Sequence, residues 1–367
     1  MKHLLVTLTM ISGIALSSFA TGSATENFVF GTPEVQSIHA LTFGPEGVLF
    51  LGDSKAARVW ALATDDTEAP AEMPTYRMDN VDEVLAAQLG VDANEVAIQD
   101  MAINPISKQL YLAVHLGDGK AILLLYKGGQ FIPVAMENVR YSEVALENAV
   151  AEDATDRRGR PLRVWAISDL SFANDQLMVS GLSNQEFAST FRSIPFPFQT
   201  EQQAASLEIF HAAHGRFETY APIKTFTTAE VNGKAHLIAS YTCTPLVVWP
   251  LETLEPGAHV KGRTVAELGS NNSPLDMVVM NNGGERYVLL SNTNRALMKV
   301  ALTDIEAFEG TMTDPVEERA ATAGTEFIAL PFVNVLQLDK LDDTNFVMLQ
   351  RQANGNLALV TAGDRWL

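Results

Sequence analysis

One cysteine, Cys243, is present among 367 residues. An internal disulfide and a CxxC zinc site are therefore both excluded. Basic residues are scarce as well: 25 Lys and Arg stand against 44 Asp and Glu, a formal charge of −19. A surface of that sign repels phosphate backbones and anionic lipid, so nucleic acid is not an expected partner. Past the first twenty residues no apolar run approaches the length of a membrane span. Two catalytic signatures are missing: there is no GxSxG elbow, and GDGK from Gly117 lacks the glycine spacing of a phosphate-binding loop. What remains is a chain 47% hydrophobic and 19% charged, able to bury a large core as one large domain or two ordinary ones.

Met1, Lys2 and His3 precede an apolar run from Leu4 to Leu16 and a stretch of small residues ending at Ala20. A basic start, a short apolar segment and a small-x-small site are the parts of a secretion signal. The expectation is a signal over 1–20, with cleavage as late as Ala24, and one domain over 25–367 in the periplasm or outside the cell. No cysteine follows the run, so no lipoprotein anchor is expected. After cleavage nothing holds the chain to a membrane on this reading.

Short apolar segments with period-two alternation recur in pairs. They are SIHALTF with GVLFLGD, AIQDMAINP with KQLYLAVH, AISDLSF with DQLMVSG, IKTFTTAE with KAHLIASYT, PLDMVVM with RYVLLSN, and VNVLQLD with NFVMLQR. A third segment such as ARVWALA, AILLLYK or NLALVTA follows each pair, and often a fourth. Turn residues (GPEG, NPIS, AND, NGK, NNGG, DDTN) separate them, which predicts antiparallel strands joined by tight turns. Six four-stranded units predict an all-β, six-bladed β-propeller, a fold that closes radially. A pair of β-sandwich domains would share much of this rhythm. The sixth unit lacks a fourth strand, and ENFVFGTPE, near the expected start of the mature chain, is expected to supply it. In this rhythm the chain resembles the six-bladed propellers of the NHL, TolB and SMP-30/gluconolactonase group. The resemblance spans the mature chain and rests on a repeat of the WD40/YVTN/NHL kind, not on a family signature.

Between the strands, VDEVLAAQLGV from Val81 and YSEVALENAVAE from Tyr141 have helical spacing. SNQEFASTFRSIPFPFQTEQQ reads as a further insertion on the same face, covering it as a lid would. Its Phe187, Phe191, Phe196 and Phe198 either close over a ligand or pack the lid down. DIEAFEGTMTDPVEERAATAG reads as a solvated acidic loop on the opposite face.

Aligning the inner strands by their apolar positions brings Ala40, Asp100, Asp169, Thr225, Asp276 and Val335 to one level. Asp100, Asp169 and Asp276 are expected to converge near the axis, where like charges raise one another's pKa or demand a cation. A hard divalent ion, Ca²⁺ above all, suits such oxygen ligands. The alternative is that the three accept backbone hydrogen bonds at blade turns. The resemblance to SMP-30-like lactonases implies acidic and amide metal ligands in this part of the channel. The neighbouring mouth positions, His39, Gln99, Ser168 and Asn334, depart from that pattern.

The ends of the second strands reach the same face and add Asp53, His115, Asn184 and Asn294. With Glu186 and Arg192 these form a candidate ligand-binding tier. Cys243 falls near the mouth too, and with His39 and His115 it offers a copper or zinc site as an alternative. His211 and His214 form an HxxH at a hairpin; residues three apart on a strand point to opposite faces, so packing or a turn contact is expected of them.

The function these residues point to is an exported propeller that binds a metal ion or small molecule at its channel mouth. Its enzymatic form is metal-assisted hydrolysis of a lactone or ester, with Asp169 or His39 taking a proton from water, an assignment made by analogy of fold. A platform for a basic periplasmic protein and a transition-metal site centred on Cys243 stay open beside it.

Overall fold

Hairpins form where the alternating segments are joined by residues that tolerate a left-handed backbone. Asn174 and Asp175, at φ 52° and 57°, close the turn between Asp169–Ala173 and Gln176–Leu182. Asn232 with Gly233, and Gly283 with Gly284, do the same in later hairpins. Positive φ at both central residues is what a two-residue hairpin of the right twist requires. In the computed structural model, which describes residues 23–199 and 202–363, these hairpins build six sheets set as the blades of a propeller. The signal expected over 1–20 lies outside the described residues.

Numbered by chain order, the inner strands of blades 1 to 6 are Ala40–Phe43, Val96–Ile103, Asp169–Ala173, Thr225–Val231, Pro274–Asn282 and Val335–Lys340. Each blade packs between two others, so its second strand is covered on both faces. Val48–Asp53 accordingly buries all six of its residues, and apolar side chains occupy both faces of it.

The ring does not follow chain order. Apolar cores join blade 2 to blade 1 (Tyr111 with Trp60), 1 to 3 (Phe50 with Ile194), and 3 to 4 (Phe191 with Trp249). Others join 4 to 5 (Val248 with Leu290), 5 to 6 (Tyr287 with Phe346), and 6 back to 2 (Val347 with Leu112). The circuit is therefore 2-1-3-4-5-6. After three strands of blade 1 the chain leaves to lay Arg77–Met78 against Leu357–Gly363 of blade 6, then builds blade 2. It returns with Val139–Ala145 as the fourth strand of blade 1 before entering blade 3.

Several expectations are corrected here. Val29–Gly31, within ENFVFGTPE, does not close the sixth blade; it pairs with Val139–Ala145 at the outer edge of the first, and Arg77–Met78 does the closing. The segment from Tyr141 is not helical. Its backbone satisfies the open edge of blade 1, Glu143 pairs with Arg58 at 2.8 Å, and this tertiary demand overrides helical spacing. The Val81–Leu89 segment does form a helix, ended by Gly90 at φ 72°, with Val81 and Leu85 buried in the core between blades 2 and 6.

The third insertion is no lid. Ser189–Pro195 is the third strand of blade 3, with Phe191 and Phe196 buried in interblade cores and Phe187 stacked on His259 at 4.0 Å. The acidic segment is anchored: it begins within the short helix Leu302–Ala307, and its Ala323–Gly324 pairs with Arg263–Glu267 of blade 4.

Candidate functional site

The inner strands converge on the axis, and Asp100, Asp169 and Asp276 line one cavity of about 340 Å³ there, together with Asp339. Each carboxylate accepts two backbone N–H groups. One Oδ takes the N–H of the next residue: Met101, Leu170, Met277 and Lys340, at 2.7 to 2.8 Å. The other takes an N–H from the inner strand of the adjoining blade. Asp100 receives Leu41 (2.7 Å), Asp169 receives Phe226 (2.8 Å), Asp276 receives Leu338 (2.7 Å) and Asp339 receives Ile103 (2.6 Å). In ring order these links run 2→1, 3→4, 5→6 and 6→2, all in one rotational sense. The two remaining joints, 1→3 and 4→5, have Ala40 and Thr225 at the aligned position.

The hydrogen-bonding alternative thus holds in a modified form: the aspartates clasp blades to each other instead of closing hairpins. They also meet electrostatically. Burial, and then the charge of Asp169, pushes Asp100 well above the usual carboxylate range. Burial, and then Asp100, does the same for Asp276. Burial raises Asp169 to about 7 and Asp339 to about 6, against the backbone bonds that favour their charged forms.

Asp339 was missed by the sequence alignment, which put Val335 at the matching level of blade 6. A bulge between Val335 and Gln337 breaks the strand's pairing, and Asp339 engages Ile103, lower in blade 2 than Asp100. The visible signal was an aspartate following the Leu336-x-Leu338 alternation, where the other three precede theirs.

The other candidates lie away from this cavity. Asp53, His39 and His115 form one group where blade 1 meets blade 2. Asp53 is fully buried and accepts from Gln36 N (2.7 Å), Ser37 Oγ (2.7 Å), Ala56 N (3.0 Å) and Trp60 Nε1 (3.4 Å), so it organises a loop. His115 Nε2 accepts the Ile38 N–H at 3.0 Å, and its ring meets His39 edge-on at 5.1 Å. Burial, and then His115, lowers His39 to about 4.

Asn184, Glu186 and Asn294 are exposed, and Asn294 is engaged with Asn271 O and Asn272 Oδ1. Arg192 is 1% exposed and donates to Glu147 O at 3.2 Å, deep in blade 3. Neither His39 nor any of the exposed tier borders the cavity that holds Asp169. Cys243, on blade 4, does not meet His39 and His115; blade 3 stands between them, and the cysteine lies instead beside His211 and His214.

No family model matches the chain, and no curated protein matches it. Solved structures align with it only at low similarity. One is described as an oxidoreductase (glucose dehydrogenase) of Thermus thermophilus, at 11% identity and TM-score 0.37, with 91% of this chain and 100% of that one covered. Another is the Cps50 (Swd1) β-propeller domain of Myceliophteria thermophila, at 10% identity and TM-score 0.37, covering 89% and 84%. A chain of the Mitotic Checkpoint Complex aligns at 10% identity and TM-score 0.32, over 99% of each. The chain is a six-bladed β-propeller, mainly β with few helices.

Proposed function

We propose that the protein is an exported propeller that binds one small cation in its axial channel, Ca²⁺ before other divalent ions. The observation that carries this reading is the gathering of Asp100, Asp169, Asp276 and Asp339 around one cavity, each carboxylate held by two N–H groups, with Asp100 and Asp276 repelled by their acidic neighbours. A cation there offsets both the repulsion and the cost of burial. No three of these carboxylates bring ligand oxygens within 4.8 Å of one another, so part of the ion's shell is water, as Ca²⁺ accepts.

The gluconolactonase-like resemblance extends the reading to hydrolysis of a lactone or ester. On that extension Asp169, raised to about 7 and so near working pH, is the side chain that accepts a proton from water.

Calorimetric titration of the chelator-treated protein with CaCl₂ at pH 7.5 tests the reading. One site is expected, lost in the Asp100→Asn, Asp276→Asn double variant. A wild-type protein that takes up no calcium at millimolar concentration overturns it.

A further inference from the structure

His211, His214 and Cys243 come from two blades and 33 residues of sequence, yet one ligand atom of each lies within 4.8 Å of the others. Among the described residues no other set of three metal-ligating side chains meets this condition. His211 ends the strand Gln203–His211 of blade 3, and His214 closes the 3-10 turn Ala212–His214 that follows. That turn supplies the reorientation that a straight strand denies an HxxH pair. Cys243 sits at φ 68° in the loop between the second and third strands of blade 4, with its N–H donated to Asn272 O at 2.8 Å. The two loops meet at the rim between blades 3 and 4.

A single carboxylate orients both rings. Glu218 Oε2 pairs with His211 Nδ1 at 2.9 Å, and Glu218 Oε1 pairs with His214 Nδ1 at 2.8 Å. Each imidazole is therefore held by Nδ1 and presents Nε2. Outer-shell carboxylates of this kind set ring orientation in metal sites. A second, independent observation points to a ligand: His211 is 2% exposed, and its Nε2 has no hydrogen-bond partner among the described residues. A buried ring nitrogen left so is costly unless something occupies it. Arg216 and Tyr220 also bond Glu218 Oε1, at 3.0 and 3.2 Å, and complete the outer shell on the side away from His211.

We infer that His211, His214 and Cys243 bind one transition-metal ion of the zinc class, with a coordination position open toward solvent. Two imidazoles and a thiolate suit borderline ions such as Zn²⁺ and not hard ones such as Ca²⁺. The opening follows from burial: the His214 side chain is 41% exposed and Cys243 is partly so, while His211 forms the floor. The bound ion would tie blade 3 to blade 4 at the rim. This site is independent of the channel and stands or falls without it.

The test is titration of the chelator-treated, reduced protein with Co²⁺ and then with Zn²⁺. Cys243 is the sole cysteine, so a thiolate-to-cobalt charge-transfer band reports on it directly. The expected result is that band at one equivalent, with the intense visible bands of a tetrahedral ion, displaced by one equivalent of Zn²⁺. Cys243→Ser should abolish the charge-transfer band, and His211→Gln should weaken zinc binding at least tenfold. Glu218→Gln should weaken it about 10- to 100-fold while keeping the band. Absence of the charge-transfer band in the wild-type protein overturns the proposal even if a variant fails to fold. So does zinc affinity unchanged in a folded His211→Gln protein.

Discussion

Replacing Asp169 by Asn takes one charge out of the channel while preserving the shape of the side chain, and its effect on stability should depend on pH. Burial raises the Asp169 carboxyl from 3.8 to about 7. Between those values the folded protein binds a proton that the unfolded chain does not, so this group's contribution falls as pH climbs through the window. The interval is about three units at about 1.4 kcal/mol each, or about 4 kcal/mol, which contact with the channel reduces to about 2–3 kcal/mol. His39, lowered to about 4, acts in the opposite sense over much of the same range. The readout is therefore the difference between variant and wild type, in which the histidine cancels. Asn has one carbonyl oxygen for the two N–H groups of Leu170 and Phe226, which adds a pH-independent loss of about 1–3 kcal/mol. Urea unfolding in chelator at half-unit steps from pH 4 to 8 should show the variant gaining about 2–3 kcal/mol on wild type as pH rises. A difference constant to within about 0.5 kcal/mol would refute the buried-carboxylate argument.

Two further outcomes test the fold that carries the site. Tyr76 is 4% exposed, donates its hydroxyl to Lys108 O and packs in the core beside Tyr126 and Phe131. Tyr76→Ala, next to the strand that completes blade 6, should cost about 3–5 kcal/mol in urea unfolding. Gly181 lies in the second strand of blade 3, where an added Cβ would stand 2.3 Å from Ala166 O. Backbone has to shift to admit it, so Gly181→Ala should cost about 1–3 kcal/mol and lower the thermal midpoint.

The strands were legible because their signal is local. Val48–Asp53 and Leu110–Leu116 announce themselves by length and apolar density, and the paired left-handed turns at Asn174–Asp175 and Asn232–Gly233 by residue type. The convergence of Asp100, Asp169 and Asp276 was legible for the same reason, since equal register on radially arranged strands brings equal positions to the axis. What failed were the features decided by partners distant in sequence. The segment at Tyr141 is a strand only because blade 1 has an open edge to fill, and Phe191 is core only because blade 4 packs against it. His211 and Cys243 could not be brought together on paper, because their meeting depends on a turn and a loop in different blades.

The scrambled ring order bears directly on how the aspartate clasps should be read. In chain order they look irregular, with Asp100 linking back to the preceding blade, Asp169 linking forward and Asp339 reaching across from the last blade to the second. In space all four point the same way around the axis. A device that keeps its sense through a crossover belongs to the geometry of neighbouring inner strands, not to a copied sequence unit. Each carboxylate satisfies an N–H that faces a neighbouring blade, where a sheet's own ladder cannot reach it. Four such solutions around one axis necessarily concentrate acidic groups there. The clasp and the proposed cation site are then two consequences of one arrangement: holding the blades with carboxylates creates the repulsion that a cation relieves.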